Sequence, residues 1–375
     1  MPIPPDLLYF SGALAATAAI TPTARRFAIR TGLVDRPSPH KFHREATPYL
    51  GGLAVAASVL AALIAAIVVE PQVRVEVIAI ALGGLAVAVI GLADDWFPIS
   101  ALQRLAIQSL AAVEIWVIGV RLTPSGILPI DLAVTIFVVL AVTNAINLLD
   151  NMDGLSTGAV AIACLFLFFA ASLQGEHVVA VVAIVLAGAC LGFLPFNFNP
   201  ARIFLGDAGT LFLGFVVAAM VIKLNLNGYP LVTRATVPML IIAVPLFDMV
   251  MVVVSRLRAG RPVFRGSTDH SSHRLVALGA SSRQVALITY AAGGASGGVA
   301  LALLGAHMEG LTWAVLGAAV GLGLALLWLL EKVTLTTGAS ALSNGQPDTG
   351  SRPGSDILQD TLLHLRILPR GAHSK

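Results

Sequence analysis

Eleven apolar runs, each near the roughly 20 residues a helix needs to cross a bilayer, follow one another along most of the chain. They fall at about 6–24, 49–69, 77–93, 102–120, 127–146, 157–173, 178–195, 208–224, 235–254, 285–306 and 311–330. In lipid every backbone polar group must be satisfied internally, so such runs fold as helices. Hydrophobic residues make up 57% of the 375 and charged residues only 11%, which excludes a soluble domain. The 35 glycines and the alanine-rich stretches suit helices that approach closely in a membrane. The expected fold is an all-α integral membrane protein, a polytopic helical bundle of about 10–11 transmembrane helices. Pro129 makes 127–146 the least regular of the runs.

Residues 1–332 form the expected membrane domain, and the N-terminal run lacks a basic n-region and a clear cleavage site, so it reads as a retained first helix. After Glu331 the chain turns polar and rich in Gly, Ser and Pro, and 333–375 is expected to be a flexible cytoplasmic tail. Cys164 and Cys190 lie inside apolar runs with no CxxC spacing, which marks them as buried packing residues.

Lysine and arginine placement orients the bundle, because basic residues in short loops stay on the cytoplasmic side. The first loop carries Arg25, Arg26, Arg30, Arg36, Lys41 and Arg44; the ninth carries Arg256, Arg258, Arg261, Arg265, Arg274 and Arg283. Both loops are odd-numbered and share one side, expected to be the cytoplasmic face of the plasma membrane. The even-numbered loops are short and nearly uncharged.

On that scheme the acidic residues gather on the same side. Asp94 and Asp95 (GLADDWFP) fall in the third loop, Asp150 and Asp153 (NAINLLDNMDGLSTG) in the fifth, Asp207 (FNFNPARIFLGDAG) in the seventh, and Asp269, His270 and His273 (STDHSSHRL) in the ninth. Carboxylates at one mouth of a bundle repel unless a cation or basic groups neutralise them, and ionisable residues at such depth mark function. Oxygen ligands without sulfur favour Mg2+ or Mn2+. Mg2+ usually takes one or two carboxylates and completes its shell with phosphates and water, which implies a phosphate-bearing substrate. Arginines of the ninth loop supply matching charge. Each element alone has a structural reading: a solvated helix end for the Asp pair, a turn for GDAG, a surface turn for the histidines. Asn144, Asn147, Asp150 and Asp153 recur every three residues and on a helix would line one stripe, either a site wall or a polar seam. Their joint, one-sided occurrence favours a site.

In order, DRPSPHKFHREATPYLGG, GLADD, NAINLLDNMDGL, FNFNPARIFLGDAGTLFLGF, PLFDMVMVVVSRLRAGRPVF and DHSSHRL span about 30–285. This set resembles the polyprenyl-phosphate N-acetylhexosamine 1-phosphate transferases, the WecA- and TagO-like branch more closely than the MraY-like one. The resemblance implies a bundle with its active-site cleft at the cytoplasmic face and a groove for the lipid. It implies that Asp94 and Asp95 are the acidic pair near the lipid phosphate and that Asp207 ligates magnesium. Asn147, Asp150 and Asp153 would shape the metal and nucleotide pocket, Asp150 as a second ligand and both aspartates in the catalytic set. Asn197 would be a polar pocket residue, and Lys41 with His43 the basic pair of the first loop. Arg261, Arg265, His270 and His273 would hold the pyrophosphate and sugar. Two positions depart from the family's spelling: Ser272 stands where another histidine is usual, and Asn151 where glycine is common.

The implied activity moves a sugar 1-phosphate, with UDP-N-acetylglucosamine the favoured donor, onto undecaprenyl or decaprenyl phosphate. The products are polyprenyl-diphospho-sugar and UMP, at the start of a lipid-linked cell-envelope polysaccharide. Expected partners are the UDP-sugar, the polyprenyl phosphate and the bilayer, with a homodimer allowed and no nucleic acid. A cation-coupled transporter would place its charges near the bilayer midplane instead of at one face. An intramembrane prenyltransferase would show paired DxxxD-type clusters, and DDWFP has no following aspartate at that spacing.

Overall fold

The computed structural model describes residues 4–35, 46–97, 99–262 and 269–333. In chain order the helices begin with α1 (Pro5–Thr31), α2 (Gly51–Val69), α3 (Arg74–Trp96), α4 (Ala101–Ile118), α5 (Leu128–Leu149), α6 (Leu155–Gln174), α7 (His177–Asn197) and α8 (Gly206–Lys223). Then come α9 (Leu231–Ile241), α10 (Ala243–Arg258), α11 (Ser271–Ala277), α12 (Ser282–Ala306) and α13 (Glu309–Glu331). Among the described residues 10 helices are long and apolar enough to cross a membrane.

The ninth of the eleven expected spans, 235–254, is not one straight helix: α9 and α10 are bent by 81° at Ile242. Proline explains the break. Pro245 has no amide to give the Ile241 carbonyl four residues back, and Pro238 leaves the Arg234 carbonyl without its partner. Pro129, by contrast, does no harm in α5. It stands in the first turn, where amides lack intrahelical acceptors anyway, and α5 runs unbroken to Leu149.

α7 packs against α1, α2 and α6, while α8 packs against α2, α3 and α5. Phe193, Phe212 and Phe215 are fully buried between these layers, and both cysteines are free and buried there, as expected. α13 lies at the edge with most of its apolar side chains exposed, the surface a membrane helix offers to lipid. Contacts define one end of the bundle: Tyr9 donates to Glu70 at 3.0 Å, Lys223 pairs with Glu76 at 2.6 Å, and Tyr229 meets Gln174 and His307. Glu70, Glu76, Gln174, Tyr229 and His307 stand in or beside the even-numbered loops. The acidic segments gather around a cavity built from the other set of helix ends.

Glycines set how closely α2 and α3 approach α8. A Cβ on Gly52 would lie 2.3 Å from the Gly209 backbone, and one on Gly91 would lie 2.5 Å from the Asp207 carbonyl. Gly52→Ala is therefore expected to cost about 1–3 kcal/mol through overpacking, read as a lowered thermal midpoint in detergent. Gly294→Ala, where a Cβ meets nothing within 4 Å, is the control. Equal midpoints for the two variants would refute the close contact.

Candidate active site

Asp207 is placed by backbone pairing from far away in sequence. Short strands β1 (Val34–Asp35) and β2 (Thr47–Pro48) pair antiparallel. The Pro48 carbonyl accepts from the Phe204 amide at 2.7 Å, and the Gly51 and Gly52 amides donate to the Phe204 and Leu205 carbonyls at 3.0 and 2.8 Å. Gly206 follows at φ 73°, where a Cβ would sit 2.5 Å from the Tyr49 carbonyl oxygen. Only glycine makes that turn without strain. Asp207 then falls in the first turn of α8, where the helix dipole favours a carboxylate.

Asp94 and Asp95 belong to the last turn of α3 and not to a loop beyond it. Their roles separate at once. Asp94 accepts from the Ile99 amide at 2.8 Å and from Arg104 Nη1 at 2.9 Å, which braces the α3–α4 turn. Asp95 faces the Asp207 and Ala208 amides at the start of α8, and its Oδ2 is buried without a hydrogen-bond partner among the described residues. Arg104 also reaches Asp207 Oδ2 at 3.8 Å. Sequence reasoning passes over Arg104, although a base set ten residues after Asp94 on the next helix was a readable signal.

The stripe expected of Asn144, Asn147, Asp150 and Asp153 is helical only in its first half. α5 stops at Leu149, Asp150 caps it, and Asp153 sits in the turn before α6, where Gly154 adopts φ 73°. Asn144 donates to Gln108 Oε1 at 2.7 Å, a seam between α4 and α5. Asn147 donates to Asp207 Oδ1 at 3.0 Å and to Thr210 Oγ1 at 2.7 Å, so it orients the α8 carboxylate. Burial, reinforced by the nearby Asp207, Asp153 and Asp95, pushes the Asp150 carboxyl up to about 8. Asp153 Oδ2 accepts from Asn199 Nδ2 and the Ala201 amide, both at 2.9 Å, and so holds the segment leading into α8. Asn197 is buried between Thr157, from which it accepts at 2.9 Å, and the Ile203 carbonyl, to which it donates at 3.1 Å.

Short helix α11 is anchored by Asp248 of α10, a residue that sequence reasoning also passes over. Asp248 is only 1% exposed; it accepts from the Ser271 amide at 2.8 Å and from Ser271 Oγ at 2.6 Å, and faces His270 Nδ1 at 2.8 Å. A lone carboxylate inside PLFDMVMV was the available signal, since such a group needs partners. His270 thus ties α11 down, and Arg261 pairs with Asp269 at 3.2 Å. His273 lines the cavity; burial and then the neighbouring His270 push it down to about 4, so the imidazole is neutral near pH 7. Lys41, His43 and Arg265 lie outside the described residues.

The cavity measures about 980 Å3, and Asp95, Asn147, Asp150, Asp153, Asn197, Asp207 and His273 all contribute to its wall. Asp94, Arg261 and His270 are not among its lining residues; their partners are Arg104, Asp269 and Asp248, which do not line it either. Arg25 and Arg202 also line it, with Arg25 Nε donating to the Arg202 carbonyl at 3.0 Å. Among the described residues no group of three or more His, Cys, Asp or Glu side chains is placed so that it could hold a metal ion by itself. The donors are nevertheless all oxygens, and the orphaned Asp95 Oδ2 beside Asp150 and Asp207 fits a hard cation that borrows ligands from substrate and water.

A family model described as glycosyl transferase family 4 matches residues 77–225, the stretch from α3 to just past α8. The chain is 34% identical over 313 residues to the decaprenyl-phosphate N-acetylglucosaminephosphotransferase of Mycobacterium tuberculosis (strain ATCC 25618 / H37Rv), covering 73% of this chain and 78% of that protein. Over 284 residues it is 30% identical to the undecaprenyl-phosphate alpha-N-acetylglucosaminyl 1-phosphate transferase of Escherichia coli (strain K12), covering 72% and 76%. The chain belongs to glycosyl transferase family 4. This family 4 transferase is a multi-pass membrane enzyme, of a type that typically needs a divalent metal. The stretch matching the family model holds Asp94, Asp95, Asp150, Asp153 and Asp207, whereas Asp248 and α11 lie beyond it.

Proposed function

We propose that this transferase moves N-acetylglucosamine 1-phosphate from UDP-N-acetylglucosamine to a polyprenyl phosphate, at the cytoplasmic face of the plasma membrane. The observation that carries this reading is the convergence of Asp95, Asp150 and Asp207 on one cavity, with a buried carboxylate oxygen left unpaired. The names of the two relatives supply the sugar and the class of acceptor. An oxygen of the lipid phosphate attacks the sugar-bearing phosphorus; the bond between the two phosphates breaks, and UMP leaves.

Phosphoryl transfer asks for positioning and charge neutralisation more than for covalent help. A phosphate monoester has its second pKa at about 6, so the lipid nucleophile is largely dianionic near pH 7 and needs no strong base. Asp95, Asp150 and Asp207 would hold Mg2+ or Mn2+, which when bound neutralises charge on the phosphates. Asn147 keeps the Asp207 carboxylate aimed, and Asp153 holds the segment that leads into α8. Arg25 and Arg202 offer the cavity positive charge suited to phosphate oxygens. Lys41, His43 and Arg265 are proposed to complete that basic surround.

The test is UMP release by purified protein in detergent, given UDP-N-acetylglucosamine and undecaprenyl phosphate. Release should need both substrates, stop with EDTA and return with Mg2+. Full turnover in EDTA, or equal release without the lipid, would overturn the reading. Cysteines placed at Arg25 and Ser282 should resist labelling from outside intact cells, whereas one at Gln174 should react.

A further inference from the structure

The turns that bring Asp153 and Arg202 to the cavity wall are both held by α12, a helix beyond the residues matched by the family model. Tyr290 Oη donates to the carbonyl of Gly154, the residue after Asp153, at 2.6 Å. Arg283 Nε donates to the Asn199 carbonyl at 2.9 Å, just ahead of Arg202. Between these anchors Asp153 Oδ2 accepts from Asn199 Nδ2 and the Ala201 amide, which closes a ring of bonds from α12 through both turns and back. Residues 283 and 290 are nearly two helical turns apart, so both side chains leave one face of α12, about 10 Å apart along its axis. Gly158 opens the slot for Tyr290, because a Cβ there would overlap the phenol ring. From the other side Arg25 Nε donates to the Arg202 carbonyl, so the 199–202 segment is pinned at both ends while Arg202 lines the cavity.

We propose that Tyr290 and Arg283 are positioning residues for the nucleotide-sugar donor: they fix the spacing between the Asp153 turn and the 199–202 segment, so that Arg202 meets the donor's phosphate oxygens. This inference rests on the UDP-sugar reading above and adds residues to it from outside the family-model stretch. A wall that is already ordered spares the donor the entropy of ordering it on binding, which is how a bond remote from the ligand adds affinity. α12 packs mainly on α6 and α9, whereas Asp95, Asp150 and Asp207 belong to α3, the end of α5 and α8. The latch therefore acts on donor binding and leaves the metal and the lipid to the carboxylates.

Two measurements test it. The first is residue-resolved hydrogen exchange of the protein in detergent, without substrate. Tyr290→Phe keeps the ring and removes only the donor; it should speed exchange of the Ala201 amide about fivefold, the loss of one hydrogen bond, while the Phe204 amide, held by the Pro48 carbonyl, stays put. Unchanged Ala201 exchange in both Tyr290→Phe and Arg283→Ala would overturn the proposal, whatever the substrate. The second is kinetic. Each variant should raise KM for UDP-N-acetylglucosamine and the inhibition constant of UMP about fivefold, with kcat, KM for the lipid and the metal requirement unchanged. Arg283→Lys still carries a donor and should fall between wild type and Arg283→Ala. Tyr229→Phe is the control: it also removes a tyrosine donor from an α12 carbonyl, that of Leu304, but at the opposite end of the bundle. It should lower the thermal midpoint about as much as Tyr290→Phe and leave KM alone. A KM shift in that control, or an equal rise in both substrates' KM in the Tyr290 and Arg283 variants, would mean that these bonds serve the fold alone. Absence of any turnover with UDP-N-acetylglucosamine would sink the proposed function while leaving the exchange result to decide the latch.

Discussion

Asp207→Asn is expected to lower kcat by about 10²–10³-fold, or about 3–4 kcal/mol of transition-state stabilisation. The amide keeps the volume of the side chain but removes a full charge from the place where a phosphate-bound cation belongs, so the metal concentration needed for half-activity should also rise. Asp207→Ala should do no better. Asp95 faces the amide of Asp207 itself, and both carboxylates raise the cost of ionising Asp150. The two should therefore act as one unit, and Asp95→Asn/Asp207→Asn should cost about as much as the worse single variant. Metal titrations of kcat for the four proteins decide the matter. Losses that multiply would refute the unit. So would an Asp95→Asn variant with unchanged metal response whose rate recovers as pH rises, because that profile belongs to a group that ionises the lipid phosphate.

Asp248→Ala should be the most damaging change outside the cavity. It strips the acceptor from the Ser271 amide, Ser271 Oγ and His270 in a site that is almost fully buried. An unsatisfied buried group costs about 1–3 kcal/mol and neighbours are not additive, so a loss of about 3 kcal/mol is expected. The checks are thermal unfolding in detergent and KM for the UDP-sugar. Because α11 also carries His273, KM should rise by about tenfold or more alongside the lowered midpoint. Asp248→Asn keeps one acceptor oxygen and should fall between wild type and Ala. A lowered midpoint with unchanged KM would show that Asp248 serves the fold alone.

Much of this molecule is legible in the sequence because hydropathy is a local property. Twenty apolar residues make a helix whatever surrounds them, so the number and order of the spans and the buried cysteines follow directly. Even the break at Ile242 is written locally, in Pro238 and Pro245, although a window average of hydropathy smooths it away. The gathering of acidic segments on one end also follows from sequence, since alternating spans return every odd-numbered loop to the same side.

Which carboxylate does what is another matter. Asp94 and Asp95 are adjacent on a helix that turns about 100° per residue, so their side chains must look at different neighbours. Nothing local says which one meets the site. Gly91 decides it by letting α3 press against the Asp207 backbone, which aims Asp95 at the α8 amides and leaves Asp94 to Arg104. Asp150 and Asp153 read as one helical stripe until the chain leaves the helix at Leu149, where Asp153 turns to the Asn199–Ala201 segment some 46–48 residues away. Asp248 reaches Ser271 across 23 residues and Asn151 reaches Ser272 across 121. The sequence by itself determined the helices and the face on which the chemistry collects; only the tertiary structure decided which polar groups pair, because a hydrogen bond depends on where two distant segments are brought together and a hydropathy pattern does not record that.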